Sequence, residues 1–413
     1  MGSQRREFLK AGLTGAGPVL LLGESNGYSH AEVATRIREK GTTEGVSKAD
    51  LSTPCLLLDL DRFEANIHKM SEHARSHSIG LRPHAKTHKC AEIARRQVKA
   101  GARGVCVATI AEAEVMARAG IKGLLITSEM VGKPKVSRLV KVVKLSPDTM
   151  AVVDNPENVA ELQQAAEAAR VRIPVLIDLD VGSNRTGVAS GDEALQLAEK
   201  IGASKNLELK GICAYAGHSS HVVGFEARKN SSLEAMSKAI AAREQLKQRG
   251  HNADILSGGS TGTYNIDSSI KGMSELQVGS YVFMDVDYRK IGGQSAGIYD
   301  DFAPSLTVLC TVIHRSENKA VVDAGFKAFT TDRKFGPEPK DLTGVKYGFA
   351  GDEHGALTLE DPNREVRLGD RLEWIIPHCD PNVNLYDRIY CVRGDNVEAV
   401  WSIMDRASSV AYF

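Results

Sequence analysis

The densest run of reactive side chains in the sequence is Arg82-Pro83-His84-Ala85-Lys86-Thr87-His88-Lys89. It closes an apolar stretch whose alternation predicts a strand over 79–86, so Arg82, His84 and Lys86 share one face at a period of two. Positive charge crowded around a lysine depresses its pKa and frees the amine. A free amine forms Schiff bases with carbonyl compounds. A solvated basic strand end is the plainer reading of the same residues.

Three further segments carry chemistry. Ser257-Gly258-Gly259-Ser260-Thr261-Gly262-Thr263 follows a late apolar run and can turn backbone N–H groups toward a phosphate. It fits neither the nucleoside-triphosphate loop nor the dinucleotide fingerprint, and a bland glycine turn reads the same way. Tyr215-Ala216-Gly217-His218 offers a ring contact and an acid/base histidine. Arg185 follows the apolar run 173–178, where it would project over a barrel mouth. In Pro377-His378-Cys379-Asp380-Pro381-Asn382, His378 and Asp380 alternate if the segment is extended. Together they could hold one divalent cation, with water or substrate completing its shell. Imidazole plus carboxylate suits Mn²⁺, Mg²⁺ or Zn²⁺, and Cys379 would point away.

These segments need a scaffold that brings strand ends together. Apolar runs at 79–86, 104–108, 123–127, 150–153, 173–178, 207–215, 253–256 and 275–279 read as eight strands. Amphipathic segments separate most of them. After Asn155, a good N-cap, and Pro156, a good first helical residue, Val159, Leu162, Ala166 and Ala169 fall on one face. Such alternation predicts parallel βαβ units, and eight of them a closed (β/α)₈ TIM-type barrel, with an open doubly wound sheet as its rival. No long helix is apparent between the last two strands. Helical periodicity fades after about residue 300, and runs at 306–314, 319–328, 371–376, 388–392 and 397–403 predict a C-terminal β-rich domain. A strand at 55–61 precedes the barrel and could pair with it. The expected domains are 1–31 as an export signal, 32–78 as an N-terminal segment, 79–295 as the barrel and 296–413 as the β domain.

Composition narrows the classes. The 413 residues balance 52 Lys+Arg against 52 Asp+Glu, without the basic excess of a nucleic-acid binder. Hydrophobic residues at 42% and charged residues at 25% exclude a disordered, collagenous or coiled-coil chain. Seven widely spaced cysteines with no Cys-x-x-Cys pair argue against a disulfide framework and a structural zinc site. Arg5-Arg6, followed by Phe8-Leu9-Lys10 and a modestly apolar stretch, resembles a twin-arginine export signal, with Ser29-His30-Ala31 as a cleavage site. A periplasmic protein without a membrane span is expected; a cytoplasmic one with a frayed N-terminus is the alternative. Removing residues 1–31 takes away Arg5, Arg6 and Lys10 against Glu7 and Glu24, leaving the mature chain at −1.

In this order and spacing, the chemical segments resemble the D-threonine aldolase and D-serine dehydratase-like family, fold type III pyridoxal-phosphate enzymes of the alanine-racemase type. The resemblance runs from Thr53-Pro54-Cys55 to Trp401 and includes Gln277-Val278-Gly279-Ser280-Tyr281 and Asp352-Glu353-His354-Gly355. It implies that Lys86 carries pyridoxal 5'-phosphate through a Schiff base and that Ser260, Thr261, Gly262 and Thr263 bind its phosphate. Arg185 and Tyr215 would flank the ring, with Gly279 and Tyr281 also at the cofactor. His378 and Asp380 would hold the metal, His378 acting in catalysis. The implied reaction is cleavage of a small D-3-hydroxy amino acid to glycine and an aldehyde, in a homodimer. Dehydration of D-serine or 3-hydroxy-D-aspartate is the runner-up, and a racemase or a non-catalytic cofactor-binding protein the remaining alternatives. In this family His-x-Asp goes with aldolases and His-x-Cys with zinc-dependent dehydratases, so Asp380 favours an aldolase with Mn²⁺ or Mg²⁺.

Overall fold

The computed structural model describes residues 27–40 and 43–404. The twin-arginine motif lies outside the described residues. Eight parallel strands follow an initial β1 (Cys55–Asp59): β2 (Gly80–Leu81), β3 (Cys106–Val107), β4 (Leu125–Ile126), β5 (Met150–Val153), β6 (Ile173–Asp178), β7 (Leu207–Ala214), β8 (Ile255–Gly258) and β9 (Glu275–Leu276). Their order, β2-β9-β8-β7-β6-β5-β4-β3, curls the sheet into the expected barrel. Helices cover its outside, and their apolar faces pack on the strands through residues such as Leu139, Leu162, Leu197 and Leu246. Asn155 does cap the helix Pro156–Ala169, its side chain accepting from Glu157 N at 2.7 Å. Between β8 and β9 the chain makes a single four-residue helix, Tyr264–Asp267.

The seam of the barrel lies beside the basic run. No ladder joins β2 to β3, but Arg103 N donates to Leu81 O and Cys106 N to Pro83 O, each at 2.8 Å, and His84 bridges Cys106. The strand expected over 79–86 therefore ends at Leu81. Pro83 has no N–H to donate, so on the side facing β3 the segment serves as an acceptor and then turns. Ala85–Thr87 forms one 3₁₀ turn with His84 as its N-cap. Lys86 consequently does not alternate with Arg82 and His84 along a strand.

The second lobe is β-rich: β10 (Leu306–Ser316), β11 (Lys319–Val322), β12 (Glu338–Pro339), β13 (Val345–Phe349), β14 (Gly355–Leu359), β15 (Arg371–Ile375), β16 (Arg388–Arg393) and β17 (Asn396–Ser402). The β1 strand pairs antiparallel with β10 and parallel with β16, as its position before the barrel suggested. It stops at Asp59, whose side chain caps the helix Leu60–Ser76 by accepting from Arg62 N at 3.1 Å. One apolar core runs from Leu81, Leu276 and Val278 at the seam side of the barrel to Val308, Phe329 and Trp374 in the second lobe. That shared core fixes the lobe against the barrel mouth. Among the described residues no helix is long and apolar enough to cross a membrane.

Candidate active site

A cavity of about 850 Å³, open to solvent, lies at the C-terminal ends of the barrel strands. Lys86, Arg185, Tyr215, Ser260, Thr261 and Gly279 all line it, although they come from five different strand ends. His84, Thr127, Asp178, Gln277 and Tyr288 complete much of the wall.

Lys86 does not stand in a field of positive charge. Arg82 is buried in the barrel, where its Nε and Nη2 pair with the two oxygens of Glu275 at 2.8 and 2.9 Å. Lys89 Nζ faces Glu112 at 3.4 Å. Burial, reinforced by Lys86, keeps His84 well below the usual histidine range, and burial pushes His88 down to about 4. The partner left for Lys86 is Asp380 from the second lobe, whose Oδ1 accepts from Nζ while its Oδ2 accepts from Thr87 Oγ1 at 3.2 Å. Burial opposes the ammonium, but Asp380, with Tyr215 behind it, outweighs burial and raises the lysine pKa. Burial likewise opposes the Asp380 carboxylate, and Lys86 reverses it. The expected depression of Lys86 is thus replaced by an ion pair.

The loop after β8 is shaped to receive an anion. Gly259 has a φ of +74°, and a Cβ on Gly262 would lie 2.1 Å from Ser220 O. Ser260 and Thr261 face the cavity, and the N–H groups of Thr261 and Gly262 have no acceptor among the described residues. Buried N–H groups without a partner are rare in proteins, and here they lie where a phosphate would pair them. Gly262 and Thr263 support the loop from behind. Thr263 Oγ1 accepts from Ser260 N at 3.2 Å and donates to Asp267 at 2.5 Å. Fully buried Arg228 donates to the carbonyls of Gly262, Val222, Ile291 and Gly292, tying three loops together. The Tyr281 ring does not line the cavity: it is buried against Phe302, and its OH accepts from Gln97. Its backbone N donates to Thr261 Oγ1 at 3.1 Å.

The ring-facing part of the cavity holds Arg185, whose guanidinium lies 5.7 Å from the Tyr215 ring centroid. Below them, Asp178 at the end of β6 accepts from Thr186 Oγ1 at 2.9 Å. Burial, with the charges of Asp178 and Asp154, pushes nearby Glu129 up to about 7. His218 is exposed and lies outside the cavity wall; His221, four residues before the helix Phe225–Gln248, is the histidine that packs on cavity-lining Tyr288, with ring centroids 4.5 Å apart.

His378 and Asp380 do not alternate on an extended strand. His378 is the N-cap of the short helix Cys379–Val383, and Asp380 sits in its first turn. Asp285, buried, anchors this turn by accepting from Cys379 N at 2.8 Å, and Cys379 is fully buried. His378 Nδ1 lies 2.7 Å from Asp332 Oδ2, and its Nε2 has no partner among the described residues. A proton on Nδ1 would leave the Nε2 lone pair available as a ligand. No group of three or more His, Cys, Asp or Glu side chains is assembled for a metal among the described residues. The pair with its free imidazole nitrogen suits a cation that also takes ligands from substrate and water. Asp332, Asp285, Glu129 and Arg228 belong to no recognisable local pattern, so spacing gave no signal for them. Asp352, Glu353 and His354 lie exposed between β13 and β14, with Glu353 paired to Lys327, and Gly355 is buried as the first residue of β14.

Comparison with known proteins agrees with this geometry. The family model of the alanine racemase N-terminal domain matches residues 58–287, and a serine dehydratase domain model matches 305–392. The chain is 36% identical to a 3-hydroxy-D-aspartate aldolase of Paracoccus denitrificans over 88% of its own length and 94% of the relative's. It is also 36% identical to a D-threonine aldolase of Arthrobacter, over 87% of this chain and 94% of that one. A crystal structure of D-threonine aldolase from Filomicrobium marinum superposes with a TM-score of 0.82 at 35% identity, covering 87% of this chain and 96% of that one.

Proposed function

The chain belongs to the D-threonine aldolase and D-serine dehydratase-like family of the alanine-racemase type, and from that premise we propose that it cleaves D-3-hydroxy amino acids to glycine and an aldehyde. The observation that carries this reading is the meeting of Lys86 with Asp380: the amine at the barrel mouth touches the carboxylate offered by the second lobe.

Pyridoxal phosphate, when bound, would accept the electrons of a bond broken at Cα. Lys86 supplies the amine, and Asp380 beside it holds and orients the ammonium, whose proton must leave before its nitrogen reacts. The N–H groups of Thr261 and Gly262 and the hydroxyls of Ser260 and Thr261 would hold the phosphate. Arg185 and Tyr215, 5.7 Å apart on the cavity wall, would flank the cofactor ring. His378 and Asp380 would hold a divalent cation, Mn²⁺ or Mg²⁺ ahead of Zn²⁺, whose charge would lower the pKa of the substrate's β-hydroxyl. Loss of that hydroxyl proton with rupture of Cα–Cβ gives glycine and aldehyde. Loss of the Cα proton with departure of hydroxide would instead give a 2-oxo acid and ammonia.

The test supplies D-threonine, 3-hydroxy-D-aspartate and D-serine with Mn²⁺ to the cofactor-loaded protein. Glycine in equal amount to an aldehyde is expected from the first two. A 2-oxo acid without glycine would overturn the aldolase reading in favour of a dehydratase. We further propose a homodimer, checked by light scattering of the purified protein. Export to the periplasm by the twin-arginine route is supported by Arg5-Arg6 and is checked by cell fractionation.

A further inference from the structure

Arg333 lies outside the cavity wall and outside every motif discussed above. Its Nε donates to Asp287 Oδ2 at 2.7 Å, and its Nη1 to Asp332 Oδ2 at 2.8 Å. Asp287 sits in the short helix Val286–Arg289 just after the barrel's last strand, whereas Asp332 lies on the loop between β11 and β12 of the second lobe. The same Asp332 oxygen faces His378 Nδ1, and Asp287 Oδ2 lies 3.1 Å from His221 Nδ1. A chain of polar contacts thus runs from His221 at the barrel mouth to His378, two residues before Asp380, with Arg333 as the middle link.

A carboxylate on Nδ1 does two things for a ligating histidine. It fixes the proton on that nitrogen, and it fixes the ring plane so that Nε2 keeps its direction. Asp332 cannot do this through burial, because its side chain is 36% accessible. Its other hydrogen bond, from Thr330 Oγ1 at 2.7 Å, comes from its own loop and would move with it. Arg333 alone in this chain of contacts reaches across to the barrel. Partly exposed ion pairs add little folding stability, so the contribution of these contacts is geometric.

We infer that Arg333 is a positioning residue, locking Asp332 to Asp287 so that His378 is held ready for the divalent cation. The metal affinity of the site is then set by a contact across the junction of the two lobes. This rests on the reading of His378 and Asp380 as the metal ligands.

The test titrates Mn²⁺ into the pyridoxal-phosphate-loaded enzyme, following free Mn²⁺ by electron paramagnetic resonance, with cofactor absorbance and thermal midpoint recorded alongside. Arg333→Gln should weaken Mn²⁺ binding by about 10–100-fold while both other readouts stay at parent values. Arg333→Lys should recover part of the affinity, and Asp332→Asn should resemble Arg333→Gln. His378→Ala is the control. Parent affinity in Arg333→Gln beside a weakened His378→Ala would overturn the inference and leave the metal reading standing. Parent affinity in His378→Ala would overturn both. Loss of cofactor or early melting in Arg333→Gln, without rescue by lysine, would make the residue merely structural and overturn the positioning role.

Discussion

The two sides of the site are built on different principles. The barrel wall that lines the cavity is made at Ser260 and Thr261 of short, buried groups and backbone N–H groups, braced by the buried Arg82–Glu275 pair and by Arg228. Beside it the second lobe raises a wall of its own from longer charged side chains partly open to water, Arg333, Asp332 and His378, which Asp287 ties to the barrel. Removing one partner of a buried ion pair strands a charge, whereas an exposed pair loses little. Damage to the barrel wall should therefore reach the fold, and damage to the lobe wall should stop at function.

The strongest effect is expected at Lys86, which lines the cavity and pairs with Asp380 of the second lobe. Lys86→Ala should lower activity by more than about 10³-fold, and borohydride reduction should leave no pyridoxyl group attached to the chain. Attachment persisting in the variant would break the comparison at its centre. Arg82→Met, on the barrel side, leaves Glu275 buried without its main cation and should cost about 3–5 kcal/mol by urea denaturation. A cost below about 1 kcal/mol would erase the contrast between the walls. His378→Ala should reduce activity at least about 10-fold yet keep unfolding stability within about 0.5 kcal/mol of the parent. A large loss of stability there would mean that the lobe wall is structural after all.

The smallest effect concerns Glu129, beneath the ring-facing part of the site. Its pKa is pushed up from 4.5 to about 7 by burial and the neighbouring carboxylates. A raised carboxyl pKa means that the folded chain binds the proton more tightly, so the stability it lends at low pH is lost as pH rises through about 7. Glu129→Gln removes that loss. Its thermal midpoint should exceed the parent's at pH 8, and the gap should close toward pH 5. An equal gap at both values would place the titration elsewhere.

Much of the barrel was legible because each strand is a short apolar run whose faces are both covered, and such runs stand out without knowledge of the partner. The expected strands 150–153 and 173–178 coincide with β5 and β6. The small strands β12, β13 and β14 were not legible: each has at most five residues, too few for the alternation of Val345, Tyr347 and Phe349 with exposed Lys346 and Gly348 to stand out. Cofactor-side candidates were legible as local motifs, since a phosphate loop and its glycines must be contiguous. At Tyr281 the position in a motif said nothing of where the ring points, and the structure turns it into the core.

The sequence by itself determined the strand–helix alternation and the loop at Ser260–Thr263, because local sterics and hydrogen bonding decide such features within a few residues; the turn at Lys86, read there as strand, came only with the structure. The tertiary structure alone decided which charges meet. Lys86 looked like one cation among several, yet Glu275 takes Arg82 from 193 residues away and Asp380 reaches Lys86 from 294 residues away. Coulomb energy depends on distance in space and on burial, and neither can be read from spacing along a chain.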